Sequence, residues 1–310
     1  MNKVIVTGGT GFVGGWLVKE LVTHQVEVIV LVRNTNIESD LLKECPDVRC
    51  IQYDSPEYER LITEEKGTID VFYHLAWGGV STEEKNNCEL QLNNIDFSVK
   101  MLEYAGKLQV GRFIATGTVA EYSMCESIMD VNARQTPNDM YGAAKTATHY
   151  MLETRARMLE IPFIWTVLPS TFGEGRRDNN IITYTIVSLL RGEKPSYGDL
   201  MQMWDFLYVA EVARALRYIG EKGITEKNYA IGSGIFKPLK NYITTIRDII
   251  NPDLPLGIGE VPSFSKKAFS SCVSIYDLTK DTGYIPAIGF EEGIRRTIPY
   301  YRNREEKSQK

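Results

Sequence analysis

The feature that most restricts the fold of this chain is a glycine-rich turn close to its first residue. A short β-branched run at 3–6 leads directly into residues 7–14, Thr-Gly-Gly-Thr-Gly-Phe-Val-Gly, and a stripe of apolar residues at helical spacing follows. In such a strand–turn–helix unit Gly8 allows the tight turn, Gly11 lets the backbone approach a pyrophosphate, and Gly14 lets the helix lie close to the strand. The first amides of the helix then face the anion. The turn predicts a dinucleotide site rather than an ordinary tight turn, with cofactor contacts from Gly8, Gly11, Phe12 and Val13.

Short β-branched runs alternate with longer segments of helical period. The runs are 3–6, 26–32, 71–74, 112–115 and 162–168, and helices are predicted at 12–23, 90–108, 141–159 and 181–191. This alternation predicts right-handed crossovers and an α/β fold with a doubly wound parallel sheet, covered by helices on both faces.

Turn-forming residues become frequent after residue 168, which marks a change of organisation. We expect residues 1–168 to form the dinucleotide-binding domain and residues 169–310 to form a smaller substrate-binding lobe. Elements near 205–232 are expected to return to the first sheet. The charged segment 302–310 is expected to fray.

Charge and cysteine content narrow the classes of partner. With 40 acidic against 35 basic residues, the chain has no basic field of the kind that a nucleic-acid backbone attracts. Its 5 cysteines form no CxxC pair, which fits reduced thiols better than disulfides or a zinc site. No leader pattern opens the chain, and no apolar run approaches the roughly 20 residues of a membrane span. We therefore expect a cytoplasmic protein without a nucleic-acid, membrane or metal partner.

The end of the second predicted strand bears on the choice of cofactor. Many dinucleotide-binding folds place an acidic residue there, which accepts hydrogen bonds from the adenosine ribose. This chain has Val32-Arg33-Asn34 instead, and an arginine can pair with a 2′-phosphate. NADP(H) is therefore favoured, with NAD(H) as the alternative, and a solvated Arg33 is the other interpretation. Asp54, near the end of the third strand, either accepts from the adenine amino group or caps a turn.

A tyrosine and a lysine four residues apart, Tyr141 and Lys145, form the candidate catalytic pair. On one helix face the ammonium charge, helped by a cationic nicotinamide, is expected to lower the pKa of the phenol. Tyr141 could then exchange a proton with a substrate oxygen while hydride moves at the same carbon. Lys145 would also hold the cofactor ribose. A surface tyrosine beside a solvated lysine is the alternative, because this spacing is common by chance.

The order of these motifs resembles the extended short-chain dehydrogenase/reductase family, whose members act mostly on nucleotide sugars. The matched features are the glycine-rich turn, His74-Leu75-Ala76, Thr118 four residues before Tyr122, the Tyr141/Lys145 pair and residues 204–209, WDFLYV. The resemblance implies a Rossmann fold and a triad in which Thr118 hydrogen-bonds the reacting oxygen and Tyr141 is the acid/base. Asn94 matches a position at which the family often has an asparagine that holds the active-site helix in place. The alternative is an ordinary polar residue on a helix. Cofactor contacts are also expected from Leu75, Ala76, Thr116, Tyr141, Lys145 and Pro169.

Two departures from the family pattern bear on which reaction the chain could catalyse and on which residues could bind its substrate. Where sugar 4,6-dehydratases of the family carry an Asp-Glu pair after the threonine, this chain has Val119-Ala120, so water elimination lacks its acid and base. Where many relatives carry an arginine that grips the sugar diphosphate, this chain has Trp204. Phosphate contacts are therefore assigned to the loop after Gly175, with a solvated loop as the alternative. The predicted substrate ligands are Thr118, Arg176, Arg177, Asn179, Asn180 and Trp204.

These features favour an NADPH-dependent reductase that acts on the 4-keto group of a nucleoside-diphospho-4-keto-6-deoxy sugar. The same triad also serves a nucleotide-sugar 4-epimerase with tightly bound NAD, and a non-catalytic sensor of dinucleotide redox state is a third hypothesis. The helices at 90–108 and 141–159 resemble the pair that forms a dimer interface in the family, so a homodimer is expected. An apolar stripe on these helices includes Met101, Leu102, Tyr150 and Met151. This stripe would form either the dimer interface or an intramolecular core.

Overall fold

The computed structural model describes residues 1–34, 39–122, 129–262 and 273–308. Its strands are β1 (Lys3–Thr7), β2 (Glu27–Val32), β3 (Arg49–Gln52), β4 (Val71–His74), β5 (Arg112–Thr118), β6 (Phe163–Leu168), β7 (Ser170–Phe172), β8 (Ser196–Tyr197), β9 (Met203–Trp204), β10 (Phe206–Tyr208), β11 (Asn228–Ala230), β12 (Lys237–Pro238) and β13 (Gly257–Ile258). Its α-helices are α1 (Phe12–Thr23), α2 (Asp40–Lys43), α3 (Pro56–Glu64), α4 (Cys88–Leu108), α5 (Met140–Met158), α6 (Ile181–Leu190), α7 (Val209–Lys222), α8 (Leu239–Ile250), α9 (Tyr276–Thr282) and α10 (Phe290–Ser308). A short 3-10 helix spans Val119–Tyr122.

Seven of these strands form one parallel sheet in the order β11-β6-β5-β4-β1-β2-β3. The chain starts in the middle at β1, moves outward through β2 and β3, and then crosses to the other side of β1 to lay down β4, β5, β6 and β11. This reversal places the carboxyl ends of β1 and β4 side by side, at the point where doubly wound sheets bind ligands. The predicted α/β fold with a doubly wound parallel sheet is confirmed.

Both faces of the sheet are buried beneath helices. Val4 and Val6 of β1 point into a core formed with α1 and α7, whereas Ile5 points into the opposite core, formed with α4 and α5. Because successive side chains of a strand face opposite sides, a strand covered on both faces must be apolar throughout. This requirement explains why β1 and β2 are continuous runs of valine, isoleucine and leucine.

The helical periodicity located four of the α-helices. The helices predicted at 12–23, 90–108, 141–159 and 181–191 each begin and end within two residues of an observed helix. Strand β5 continues to Thr118, three residues past its predicted end. The last three residues of β5, 116–118, are polar or glycine and gave no strand signal in the sequence. In the structure, Gly117 and Thr118 pair with Val167 and Leu168 of β6.

Residues after β6 form a third hydrophobic cluster, in which α6, α8 and α10 pack around residues such as Phe172, Ile243 and Ile298. The chain also returns to the main sheet, because α7 packs beside α1 and β11 pairs with β6. The fraying predicted for 302–310 is wrong as far as Ser308, since α10 extends to that residue and Glu305 pairs with Arg191 at 2.5 Å. Residues 309–310 lie outside the described residues.

Helix α1 packs against the glycine-rich turn with almost no space between two stretches of backbone. A Cβ atom added to Gly14 would lie 2.1 Å from the carbonyl oxygen of Gly8. For a Cβ atom on the next residue, Gly15, the nearest atom is Cδ1 of Leu41, at 3.0 Å. A leucine side chain can adjust its rotamer, whereas the Gly8 backbone cannot move without shifting the turn. The close approach therefore requires glycine at position 14.

We expect Gly14→Ala to lower the free energy of unfolding by about 1–3 kcal/mol, because the added methyl group overpacks a contact between two backbones. Gly15→Ala is the matched control on the same helix, and it should stay within about 1 kcal/mol of the wild type because alanine also favours the helix. Urea unfolding followed by circular dichroism measures both. Equal stability of the two variants would contradict the close approach.

Candidate active site

A cavity of about 1100 Å³ lies at the carboxyl ends of β1, β4, β5 and β6. It is lined by fourteen of the predicted site residues, namely Gly8, Gly11, Phe12, Val13, Leu75, Thr116, Thr118, Tyr141, Lys145, Pro169, Arg176, Arg177, Asn180 and Trp204. The remaining predicted residues, Arg33, Asp54, Ala76 and Asn179, do not line it. The topology therefore brings most of the candidate residues together from distant parts of the chain.

The glycine-rich turn has the geometry of an anion cradle. Gly8 adopts φ +76°, and a Cβ atom there would lie 2.7 Å from the amide nitrogen of Ala76, so the turn lies directly against the segment after β4. Gly11 is the N-cap of α1 and provides no capping side chain, which leaves the first amides of the helix unsatisfied. Phe12 and Val13, in that first turn, line the cavity. A pyrophosphate fits this cradle, and the residues present thus fit a dinucleotide cofactor.

A buried chain of hydrogen bonds fixes the segment after β4. The hydroxyl of Thr7 accepts from the amide of Ala76 at 3.3 Å and lies 2.8 Å from Nδ1 of His74. Nε2 of His74 lies 2.9 Å from the hydroxyl of Ser98, which donates to the carbonyl of Asn94 at 2.7 Å. Because each hydroxyl has one proton to donate, His74 carries its hydrogen on Nε2. Burial lowers the pKa of His74 to about 3, so the ring is a neutral link between β1 and α4.

Two side chains of α4 hold the next three residues of this segment. The Asn94 side chain accepts from the amide of Gly78 at 3.0 Å and donates to its carbonyl at 2.8 Å. Gln91 accepts from the indole of Trp77 at 3.0 Å and donates to the carbonyl of Gly79 at 2.8 Å. Asn94 therefore holds the turn 77–79 against α4, and Trp77 is fixed in the wall of the cavity.

The three candidate catalytic groups come from two elements. Thr118 ends β5, and its hydroxyl oxygen accepts from the amide of Ala120 at 3.2 Å, which leaves the hydroxyl proton available for donation. Tyr141 lies in the first turn of α5, and Lys145 follows one turn later. The ammonium of Lys145 is buried, donates to the carbonyl of Thr116 at 2.6 Å, and lies 3.8 Å from the centre of the Trp77 ring.

The lowering of the Tyr141 pKa that the sequence predicts depends on Lys145 together with a cationic nicotinamide, and it stays a prediction. Burial raises the pKa of Tyr141 to about 12, the Thr118 side chain opposes this rise, and Lys145 is not among the main influences. The reason is geometric, since the ammonium points to Thr116 and the Trp77 ring. Desolvation therefore outweighs charge at the phenol, which stays neutral and able to donate.

The predicted phosphate ligands in the loop before α6 are partly engaged within the protein. Arg176 binds the carboxylate of Asp178 through Nε at 2.5 Å and Nη2 at 2.8 Å. The Asn180 side chain caps α6 by accepting from two amides of its first turn, at 2.9 and 3.2 Å. Arg177 and Asn179 are exposed. A phosphate at Arg176 would therefore share this guanidinium with Asp178.

The other predicted ligands lie in three different settings. Arg33 is exposed beyond β2 and forms no ion pair with a residue that the structure describes. Asp54 is exposed in the turn before α3, with φ +62°. Trp204 packs beside Phe206 with ring centroids 6.1 Å apart, and its Nε1 is buried with no hydrogen-bond partner in the described part of the chain. Only Trp204 among these three lines the cavity.

Sequence reasoning missed Trp77, Glu121 and Glu174. Glu174 lines the cavity, and its carboxylate accepts from the hydroxyl of Tyr208 at 2.8 and 3.0 Å. Glu121 is fully buried next to Thr118. A signal existed for Trp77, which directly follows the His74-Leu75-Ala76 motif, but a glutamate in a short turn gives no sign that tertiary packing will bury it.

The described residues include neither a metal-type cluster of side chains nor a membrane-type helix. Within residues 1–34, 39–122, 129–262 and 273–308, no three His, Cys, Asp or Glu side chains are grouped as metal ligands. None of the described helices is sufficiently long and apolar for a membrane span. Cys45, Cys50 and Cys88 are free thiols, and Cys125 and Cys272 lie outside the described residues.

Comparisons with known proteins agree with this geometry. A model of the NAD dependent epimerase/dehydratase family matches residues 4–232. The dTDP-glucose 4,6-dehydratase of Neisseria meningitidis is 25% identical over 333 residues, which cover 97% of this chain and 93% of that protein.

Solved structures of similar fold include both epimerases and a dehydratase. UDP-glucose 4-epimerase of Thermotoga maritima superposes with a TM-score of 0.82 at 22% identity, covering 98% of this chain and 99% of that one. The dTDP-glucose 4,6-dehydratase of Bacillus anthracis, in complex with NAD, gives 0.84 at 19% identity and covers 100% of both chains. UDP-N-acetylglucosamine 4-epimerase of Methanobrevibacter ruminantium gives 0.85 at 21% identity, covering 98% and 99%. At these identities the structures show a shared fold. The family match covers most of the chain, and this protein therefore belongs to the NAD-dependent epimerase/dehydratase family, the extended short-chain dehydrogenases/reductases that modify nucleotide sugars.

Proposed function

We propose that this enzyme is a 4-epimerase, which inverts the configuration at C4 of a nucleoside-diphosphate sugar and keeps NAD bound throughout the cycle. The observation that carries this proposal is that one cavity contains the anion cradle, Thr118, Tyr141 and Lys145. The positions of the dehydratase acids are occupied by Val119 and Ala120. The next residue, Glu121, is fully buried and does not line the cavity, so it cannot replace them.

The relatives support the epimerase over the reductase that the sequence favours. Those named above are 4,6-dehydratases and 4-epimerases, and none of them is a 4-ketoreductase. Unlike 4,6-dehydration, 4-epimerisation needs no acid or base beyond the group that exchanges the C4 hydroxyl proton. The chain retains that group as Tyr141 and lacks the additional pair that dehydration requires.

Each residue of the triad has one task in this reaction. A bound NAD would supply the hydride acceptor for C4 and a positive charge that favours the ionised phenol. Tyr141 takes the proton of the C4 hydroxyl as the carbonyl forms, and returns it when the hydroxyl re-forms. Thr118 donates its free hydroxyl proton to the same oxygen. Lys145 holds the cofactor ribose.

The smaller lobe and a second subunit complete the proposed arrangement. Residues 169–310 bind the nucleotide sugar, with Arg177 and Trp204 in the wall of the cavity near the diphosphate. A homodimer forms through α4 and α5, where Tyr150 and Met151 are 57% and 49% exposed. Met101 and Leu102, expected in the same stripe, are buried in the core of the subunit.

An NADPH-dependent 4-ketoreductase is the second candidate, and Arg33 is the observation that favours it. Its guanidinium is exposed directly after β2, where the residue that recognises the adenosine ribose stands in this fold. No carboxylate of the described residues pairs with it, so it is available to a 2′-phosphate.

The epimerase proposal predicts turnover without added cofactor. Purified enzyme is incubated with a panel of nucleoside-diphosphate sugars that carry a free C4 hydroxyl, and the products are separated by chromatography. We expect a mixture of two C4 epimers and a bound dinucleotide that is released on denaturation. A reaction that proceeds only with stoichiometric NADPH and a 4-keto sugar would establish the reductase instead.

Tyr141→Phe tests the acid/base assignment in the same assay. We expect kcat to fall by about 10²–10⁴-fold, because the ring remains but the proton-transfer group is lost. The Kd for NADH should be unchanged within about twofold, a difference of only about 0.4 kcal/mol. Tyr150→Phe, an exposed tyrosine on the same helix, is the matched control and should retain full activity. Equal rates for the two variants would refute the assignment.

Arg33→Ala tests the role of the arginine after β2. We expect the Kd for NADPH to rise about tenfold, because a charge-assisted contact to a 2′-phosphate contributes about 1.4 kcal/mol or more. The Kd for NADH should not change, since it has no 2′-phosphate. Arg60→Ala, with a guanidinium that is 61% exposed on α3, is the control. Fluorescence titration measures both constants. If Arg33→Ala changes the Kd for NADH and the Kd for NADPH equally, Arg33 does not contact the 2′-phosphate.

A further inference from the structure

A buried carboxylate lies next to the proposed catalytic triad, and the reaction described above does not use it. Glu121 follows β5 in the short 3-10 helix, and its side chain is fully buried. Its Oε1 accepts from the amide of Thr118 at 2.7 Å, and its Oε2 accepts from the side chain of Gln135 at 2.8 Å. The carboxylate therefore anchors the stretch of backbone that carries the Thr118 hydroxyl.

Two further side chains, Trp165 and His149, lie beside Glu121 and Gln135. A Cβ atom on Gly117 would lie 2.2 Å from Oε1 of Glu121 and 2.4 Å from Nε1 of Trp165, so both groups lie directly against the β5 backbone. The Gln135 side chain lies 3.3 Å from Nδ1 of His149, and the His149 ring stacks on Trp165 with centroids 4.7 Å apart. Glu121, Gln135, His149 and Trp165 thus form one buried polar layer between β5, β6 and α5.

Lys145 binds the same end of β5 as Glu121, because its ammonium donates to the carbonyl of Thr116 while Glu121 accepts from the amide of Thr118. It lies one helical turn before His149 on α5, and it is 5% exposed. Burial lowers the pKa of Lys145, and the negative charge of Glu121 opposes that change. Burial also raises the pKa of Glu121, and the charge of Lys145 opposes it. Each group therefore stabilises the ionised form of the other in a place where water cannot.

We propose that Glu121 is a positioning residue of this redox site, which fixes the Thr118 backbone and supplies the counter-charge that keeps Lys145 an ammonium. The inference rests on the proposed function for the roles of Thr118 and Lys145. It adds a group that touches neither sugar nor cofactor and acts only through these two residues.

Within the described part of the chain, the other titratable groups on the elements around the pair do not supply that charge. On α5 these are Tyr141 and His149, on β4 it is His74, and on the 3-10 helix it is Tyr122. Burial keeps the two imidazoles neutral, with the pKa of His74 lowered to about 3 and that of His149 to about 4. Burial raises the pKa of both phenols above its ordinary value, so these also remain uncharged near neutral pH.

Glu121→Gln separates charge from anchoring, because the amide oxygen can still accept from Thr118. The Kd for NADH is measured by nucleotide fluorescence from about pH 6 to about pH 9, and it should rise as Lys145 loses its proton. In Glu121→Gln we expect this rise to begin about one pH unit lower, with binding about tenfold weaker at the wild-type midpoint. Glu211→Gln is the control, since this carboxylate is 2% exposed on α7 and does not line the cavity. Superimposable profiles for the wild type and Glu121→Gln would overturn the proposal.

A double variant tests whether Glu121 acts through Lys145. Lys145→Met removes the ammonium, so adding Glu121→Gln to it should not change the Kd for NADH further. A purely structural role would instead make the two effects add, and additive effects would overturn the proposal.

Thermal unfolding of Lys145→Met provides a test that remains valid if Glu121→Gln does not fold. Without its cation, the buried carboxyl has a folded-state pKa still further above its unfolded value, so the fold prefers the protonated form. Such a group stabilises the fold at low pH, and this stability is lost as pH rises through the folded-state pKa. The Tm of Lys145→Met should therefore fall more steeply than that of the wild type between about pH 5 and about pH 8. Parallel Tm profiles would overturn the proposal.

These measurements need no sugar turnover. If no nucleotide sugar is converted but the binding and Tm profiles shift as stated, the proposed function fails and the role of Glu121 stands. If sugars are epimerised and the profiles coincide, the proposed function stands and the role of Glu121 is refuted.

Discussion

The backbone contact between the glycine-rich turn and its surroundings is the constraint on which the rest of the structure depends. Gly8 lies against the segment after β4, and Gly14 brings α1 against the turn itself, in both places without room for a side chain. The uncapped start of α1 is thereby held at the carboxyl ends of β1 and β4. The anion cradle exists because two stretches of backbone approach more closely than any side chain would allow.

Desolvation governs the chemistry that this frame can support. The phenol of Tyr141 is held neutral, whereas the ammonium of Lys145 and the carboxylate of Glu121 are both buried at the end of β5. The Glu121 carboxylate and the His74 ring are stable this far from water because both have hydrogen-bond partners. The ionisation of the side chains that line the cavity therefore depends on residues behind its wall as well.

Whether a pattern could be found in the sequence depended on whether its physical cause is local. Helix α1 begins and ends where its apolar stripe predicts, because the 3.6-residue period is a property of neighbouring residues. The spacing of Tyr141 and Lys145 places both on one face of α5 for the same reason. Arg176 and Asn180 were expected to bind phosphate, but their interactions with Asp178 and with the first turn of α6 give them structural roles as well.

The sequence by itself determined the fold class, the dinucleotide turn and the identity of the candidate triad, because each is written in residue types at fixed short spacings. Only the tertiary structure decided that the Lys145 ammonium turns toward Thr116 and Trp77, and that Glu121 is buried next to Thr118. The burial of these charged groups results from the packing of β5, the 3-10 helix and α5 against one another. Because these elements are distant in sequence, no local periodicity indicates that they meet. The residues of the candidate triad can therefore be identified from the sequence, whereas their electrostatic environment depends on tertiary packing.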